Sequence, residues 1–370
     1  MQLEVAIMRA LIKYGLGKGE TELREIPVPS IGDEDLLIEV KAAGICGSDL
    51  AYDNGEHPEH LNCPVVLGHE FSGIVNQIGK NVKGWKVGDR VVSDNTGSVC
   101  GHCHACKTGQ FLQCEHRLGL GYGMDGGFTD YVKISGDLLQ KNPGSLFRIP
   151  DSVSFQEAAI LDPVCNAYKA VVQESSILPG EHIAVFGAGP IGLFAIQIAH
   201  LMGCARIIAI GQSTSEEKLK IASRYGATDI ILSDRQDVAN EIDRITGGEK
   251  VAVAIDAAGP NSVLRQAIQI VRKGGEIIKI GFDPSPCPFS LDELLNKGIS
   301  LKGHFGYNYE SWKNVLRLLE LGKIDLASVI THFIRLEDWH SGFDLIRQRK
   351  AIKVIITKDE QLLASSKASG

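Results

Sequence analysis

Four cysteines crowd into fifteen residues as Cys100-Gly-His-Cys103-His-Ala-Cys106 and then Cys114, at spacings of three, three and eight. Thiolates are soft ligands that suit a tetrahedral zinc ion at about 2.3 Å each. The small residues between them and Gly109 let one loop wrap one ion. Four sulfur ligands leave no open position, so the chemistry expected here is structural. Free thiols or an iron–sulfur centre are the other readings of the pattern. A nucleic-acid-binding finger fits poorly, because no recognition helix follows and His102, His104 and Lys107 make a weak basic patch.

A second group of candidate ligands is spread more widely. Cys46-Gly-Ser48-Asp49 and Gly68-His69-Glu70 precede the knuckle, and Leu161-Asp162-Pro163 follows it. Thiol, imidazole and carboxylate are all zinc ligands. Three of them leave a position for water or substrate, as catalysis needs. Asp49 is a candidate acceptor for the other ring nitrogen of His69. Singly, each residue has a plainer reading: a packed cysteine, a satisfied histidine, and in Asp162 a helix cap.

The third chemical signal is Val185-Phe186-Gly187-Ala-Gly189-Pro190-Ile191-Gly192, which follows a strand pattern and opens a helical one. The glycines permit a tight turn, close approach of backbone to a pyrophosphate and close helix packing, while the helix N-terminus favours the phosphate charge. Strand before and helix after turn a weak motif into a strong one. The next strand ends in Gly211-Gln212-Ser213-Thr214, with no carboxylate to hold an adenosine ribose. That absence favours NADP, with Ser213, Thr214, Lys218 or Arg224 near its 2′-phosphate, and leaves NAD open. Ala257 and Gly281 end later strands and are expected to flank the nicotinamide.

These groups need two kinds of scaffold. Short alternating apolar runs at Leu36–Ala42, Gly73–Ile78 and Asp89–Val92 predict a mostly β first part. From about Asn166, strand runs alternate with helical ones: strands at Ile183–Phe186, Arg206–Ile210, Ile230–Leu232, Val251–Ala257 and Glu276–Ile280, helices at Ile191–Met202 and Ser215–Tyr225. Such alternation predicts a parallel, doubly wound α/β sheet of the Rossmann type. A helix over Ser311–Leu321 and a strand over Ile352–Thr357 predict a tail returning to the first domain. The expected division is 1–166, 167–305 and 306–370. The chain has 370 residues, 44% hydrophobic and 22% charged, and a net charge of −7. Two domains with a sizeable core follow, and a nucleic-acid or membrane partner does not. No signal-peptide layout and no apolar run of spanning length appear, and nine cysteines with no disulfide framework fit a reducing, cytoplasmic setting.

Together these motifs resemble the zinc-containing medium-chain dehydrogenase/reductase family over about Ile26 to Thr357, and within it the sorbitol and threonine dehydrogenase branch. Gly68-His69-Glu70-Phe-Ser-Gly73 resembles the family's zinc signature, and Asp162-Pro163-Val164 the carboxylate-before-proline of that branch. The resemblance implies a GroES-like catalytic domain beside the Rossmann domain and two zinc ions per subunit, one catalytic and one structural. It implies that Cys46, His69 and Asp162 hold the catalytic zinc directly or through water, with Glu70 as an alternative ligand. Ser48 would take the substrate proton and Tyr52 line the pocket. Asp162 stands where the branch often has Glu. Ala51 replaces a relay histidine, and His304-Phe305-Gly306-Tyr307 replaces an Arg-Tyr pair. A polar pocket of Ser48, Tyr52, His304 and Tyr307 is therefore expected. The function implied is NAD(P)-linked oxidation of a secondary alcohol, a polyol or sugar, by a homodimer or homotetramer. An NADPH-linked zinc carbonyl reductase and a non-catalytic dinucleotide-binding relative are the alternatives.

Overall fold

Strands whose apolar residues alternate can bury one face, and strands that are apolar throughout must bury both. The chain uses each kind in its own unit. One unit runs to Asp162 and resumes at Asn308, and Pro163–Tyr307 forms the other. The computed structural model describes residues 6–367, with side chains up to 365. Both borders lie a few residues from those expected. The first falls inside the helix Leu161–Tyr168, where no change of composition marks it.

The first unit is built on a seven-stranded sheet. Its main path runs Leu146–Arg148, Arg90–Ser93, Glu70–Ile78, Leu36–Gly44, Lys353–Thr357 and Ile330–Ile334, with Tyr131–Ile134 also on Leu36–Gly44. The pairings are antiparallel except for the last, where Ile330–Ile334 runs parallel to Lys353–Thr357. Two of these strands, Ile330–Ile334 and Lys353–Thr357, come from the C-terminal part of the chain. A smaller sheet of Thr21–Pro27, Ile7–Lys13 and Val65–Val66 carries the chain toward His69. The core packs Leu36, Ile38, Phe71, Val75, Phe128, Phe343 and Val354, each at most 1% exposed.

Register positions the chemistry. Gly44 pairs with Glu70, and Ile355 pairs with Gly44 on its other side. Cys46 and His69 therefore leave the sheet at one end, with Lys353 beside them. A Cβ at Gly44 would stand 2.6 Å from Glu70 Oε2 and 3.1 Å from Lys353 Cε, so a side chain there would push this pair aside.

The second unit is a six-stranded parallel sheet in the order Asp229–Leu232, Arg206–Gly211, His182–Phe186, Val251–Asp256, Val271–Lys279 and Ser300–Gly303. The apolar helix Pro190–Leu201 and the amphipathic helix Asn261–Ile270 are among those that cover it. This is the doubly wound arrangement the alternation predicts, and its order reverses between His182–Phe186 and Val251–Asp256. Among the described residues, no helix is long and apolar enough to cross a membrane.

Candidate active site and metal centres

The four knuckle sulfurs converge, with every pair of ligand atoms within 4.8 Å. Cys100 Sγ lies 3.9 Å from Cys106 Sγ and 3.6 Å from Cys114 Sγ. Two thiolates bound tetrahedrally at 2.3 Å stand about 3.8 Å apart, so these spacings fit one zinc and are far too long for a disulfide. Backbone N–H groups of Cys100, Cys103 and Cys106 point at the sulfurs of Cys114, Cys100 and Cys103. Such donors, from His102 and Cys103 foremost, pull the Cys100 thiol down to about 6. Burial pushes the Cys106 thiol up to about 12 and its thiol neighbours add to the rise, a conflict that a shared dication would remove.

Cys46, His69 and Glu70 form a second set with ligand atoms within 4.8 Å of one another. Cys46 caps the helix Gly47–Asp53, where its N–H donates to Asp49 Oδ2 at 2.8 Å. The other oxygen of Asp49 faces His69 Nδ1 at 3.3 Å, and both side chains are almost fully enclosed. Burial would pull the His69 imidazole down. Asp49 foremost, and then Cys46, outweigh it and hold His69 well above its ordinary value. A pocket that draws a positive charge this strongly suits a bound metal cation, so the residues present fit zinc.

Asp162 lies outside that tight set. It sits in the first turn of Leu161–Tyr168 and accepts from Asn95 Nδ2 at 3.3 Å. Glu70 is paired with Lys353, whose Nζ lies 2.7 Å from Oε1. Burial would lower the Lys353 ammonium. Glu70 outweighs it, with Cys46 and Asp162 adding, and holds Lys353 above the ordinary lysine value.

Ser48 and Tyr52 are four residues apart on the Gly47–Asp53 helix and so share a face. Ser48 is half-buried, and its hydroxyl has no hydrogen-bond partner among the described residues. Tyr52 is 6% exposed, and its ring lies 5.4 Å from that of Tyr122. Burial pushes its phenol above the ordinary tyrosine value, so the hydroxyl stays protonated.

In the second unit the turn at Gly187 has φ +100°, and a Cβ on Gly192 would meet Gly187 O at 2.0 Å. Gly189 caps the helix Pro190–Leu201, and Ile191 lies in its first turn. These are the steric demands of a loop that brings backbone N–H groups to a pyrophosphate. Ala257 and Gly281 stand beside it: Ala257 N–H donates to Phe186 O at 3.0 Å and Gly281 N–H to Asp256 O at 2.8 Å.

Two expectations need correction here. A carboxylate does stand at the end of Arg206–Gly211, brought by the next loop. Asp234 accepts the Ser213 N–H at 2.7 Å, and the Ser213 hydroxyl donates to its other oxygen. His304 and Tyr307 are not open pocket residues of the kind foreseen. The His304 side chain is 1% exposed, with Nδ1 at 2.6 Å from Glu174 Oε2 and Nε2 at 3.1 Å from Asn166 Oδ1, and Tyr307 is buried in the same unit. Lys169 completes this enclosed network against Glu174.

Residue-by-residue reading of the sequence missed Lys353, Asn95 and Asp234. Lys353 carried a usable signal, as a lone charge in the apolar run Ala351–Ile356. Asn95 and Asp234 lie in polar loops, where nothing distinguishes them from their neighbours.

Comparison with known proteins agrees with this geometry. Residues 190–320 match the zinc-binding dehydrogenase family, and residues 32–144 match the alcohol dehydrogenase GroES-like domain. The chain is 40% identical over 357 residues to the uncharacterized zinc-type alcohol dehydrogenase-like protein YdjL of Escherichia coli, covering 95% of this chain and 99% of that protein. It is 38% identical to an L-threonine 3-dehydrogenase of Bacillus velezensis, covering 94% and 98%. The 2R,3R-butanediol dehydrogenase of Bacillus subtilis superposes with a TM-score of 0.83 at 31% identity, covering 95% of this chain and 100% of that one. With both metal centres and the nucleotide loop in place, the chain belongs to the zinc-binding medium-chain dehydrogenase/reductase family, beside enzymes of the sorbitol and threonine dehydrogenase type.

Proposed function

We propose that this protein oxidises a secondary hydroxyl of a polyol or sugar-like substrate with transfer of hydride to NAD. The observation that carries the reading is the convergence of Cys46, His69 and Glu70 beside a helix presenting Ser48 and Tyr52. Cys46, His69 and Asp162, directly or through water, would hold a catalytic zinc, while Cys100, Cys103, Cys106 and Cys114 would hold a structural one. When bound, zinc acidifies the substrate hydroxyl and the nicotinamide ring accepts the hydride.

The chain's own groups divide the remaining work. Asp49 fixes the orientation of His69 and offsets positive charge behind it. Ser48 takes the hydroxyl proton by hydrogen bond and passes it outward, so one proton leaves as one hydride is transferred. Tyr52, kept protonated, hydrogen-bonds a neighbouring substrate hydroxyl. Lys353 neutralises Glu70 and leaves it as the alternative ligand. Gly187, Gly189, Pro190, Ile191 and Gly192 cradle the pyrophosphate, and Gly211, Gln212 and Ser213 face the adenosine ribose. Ala257 and Gly281 flank the nicotinamide.

The Ser213–Asp234 pair supports NAD over NADP, because a 2′-phosphate would meet a carboxylate. It weighs equally against an NADPH-linked carbonyl reductase. A non-catalytic relative would not need the metal set and Ser48 together. A homodimer or homotetramer is supported by the edge strand Ser300–Gly303, exposed along its length, and by Leu295 at 80% exposure.

The test is a panel of polyols, sugars, threonine and simple alcohols with NAD and NADP, read by reduced-nicotinamide absorbance. Chelator-sensitive turnover of a polyol or sugar supports the reading. Silence with zinc confirmed bound, together with tight cofactor binding, would favour the non-catalytic alternative.

A further inference from the structure

Arg117 is joined to the candidate active site through Asn95 and Tyr122, and has no acidic partner within ion-pair distance among the described residues. Its Nη2 donates to Asn95 O at 3.3 Å and to Asn95 Oδ1 at 2.5 Å. Its Cζ lies 5.5 Å from the centroid of the Tyr122 ring. Its Nε is buried and has no hydrogen-bond partner. Among the described residues, no carboxylate lies within ion-pair distance of it, although such pairs are common elsewhere on this chain. The buried Asp94 feels its charge only from beyond that distance. A half-buried guanidinium with an orphaned N–H and no ion-pair partner favours an anion that brings both acceptor and charge.

Its place makes that anion a part of the substrate. Two short paths lead from Arg117 to the metal set. One runs through Asn95, whose side-chain amide donates to Asp162. The other runs through Tyr122 to Tyr52, three residues along its helix from Asp49, which backs His69. A molecule with one hydroxyl at the metal and its carbon chain along the Tyr52 and Tyr122 rings would reach Arg117 with its far end.

The position is also rigid. Arg117 N–H donates to the carbonyl of the knuckle ligand Cys114 at 3.0 Å, and the following Leu118–Gly119 strand pairs with Thr96–Ser98. The structural zinc loop, which touches no chemistry of its own, thereby sets where the guanidinium stands.

We propose that Arg117 is a specificity residue that binds a terminal anionic group, carboxylate or phosphate, on a polyhydroxylated substrate. This rests on the dehydrogenase reading above. A planar guanidinium fits either oxyanion by a paired hydrogen bond, which an uncharged hydroxyl cannot match.

The test uses the full-length, zinc-loaded protein and matched sets of four-, five- and six-carbon polyols, their terminal monophosphates and the corresponding aldonates. Wild type, R117M and R117K are compared by kcat/KM, with zinc content measured for each. The expected result is a preference of at least roughly tenfold for one anionic series over the neutral one. R117M should lower kcat/KM on that series at least tenfold more than on the neutral polyols, and R117K should fall between. Preference for the aldonates identifies a carboxylate and preference for the monophosphates a phosphate. No anionic preference in the wild type, or an equal fall on charged and neutral substrates in R117M, overturns the inference and leaves the dehydrogenase reading standing. If no member is turned over, calorimetric titration with the phosphorylated and carboxylated polyols decides. Binding weakened by R117M keeps the anion site and removes the dehydrogenase reading, and absence of binding overturns the inference.

Discussion

Lys353 Nζ sits 2.7 Å from Oε1 of Glu70 and 2.5 Å from Oε2, although the two residues are 283 positions apart in the chain, and both side chains are at most 2% exposed. The pair exists because Lys353–Thr357 closes the sheet against Leu36–Gly44, whose other neighbour begins at Glu70. It ties the end of the chain to the metal set.

Removing one partner leaves a buried charge without compensation, whereas removing both does not. K353M should therefore destabilise the zinc-loaded protein by about 3–5 kcal/mol. K353M/E70Q should recover most of that loss. Urea unfolding of the three proteins checks both statements. A double variant no more stable than K353M would show that the lysine acts through packing and not through the carboxylate.

The two metal sets should separate by mutation. Wild type should hold two zinc ions per chain. C46S should hold one, keep its far-ultraviolet circular dichroism and lose turnover by more than about a hundredfold. C103S should lose the other ion and unfold at lower temperature. D49N, which keeps the shape but not the charge behind His69, should cost roughly ten- to hundredfold in zinc affinity or turnover. Metal analysis alongside kinetics measures all three, and near-normal turnover of C46S would remove the catalytic-zinc assignment.

What the sequence made legible depended on how locally each constraint is encoded. The knuckle could be read because Cys100, Cys103, Cys106 and Cys114 share one loop, and the nucleotide loop because Gly187 and Gly192 answer steric demands five residues apart. The strand–helix alternation that gives the parallel sheet is local as well. Glu70–Lys353 and Asn95–Asp162 were not legible, since sheet register and the meeting of distant loops create them. Ser213–Asp234 misled for the same reason: the strand end lacks an acid in sequence, and the fold imports one from 21 residues on. His304 reads as a pocket residue by position, yet Glu174 and Asn166 enclose it.

The imported acid leads to a prediction about cofactor choice. Wild type should favour NAD over NADP in kcat/KM. D234A, which removes the charge while leaving the Ser213 hydroxyl, should narrow the ratio by roughly five- to tenfold, the scale of one charge repulsion near the surface. A wild-type preference for NADP would contradict this reading and return the argument to the bare Gly211-Gln212-Ser213 sequence.

Asp94 should shape the pH dependence of stability. It is 7% exposed, and burial pushes its carboxyl up to about 7, against the opposing pull of the Thr96 N–H and of Arg117. The unfolded chain ionises this group near 3.9. Between that value and about 7 the unfolded state loses its proton while the folded state keeps it, so stability falls as pH rises through this window and levels off above it. The loss is bounded at about 4 kcal/mol by the size of the shift. D94N keeps an acceptor for the Thr96 N–H without the ionisation. It should match wild type near pH 4 and exceed it in melting temperature at pH 8. Equal stability at pH 8 would mean that Arg117 already neutralises Asp94, and would weaken the case that this guanidinium awaits an anion from the substrate.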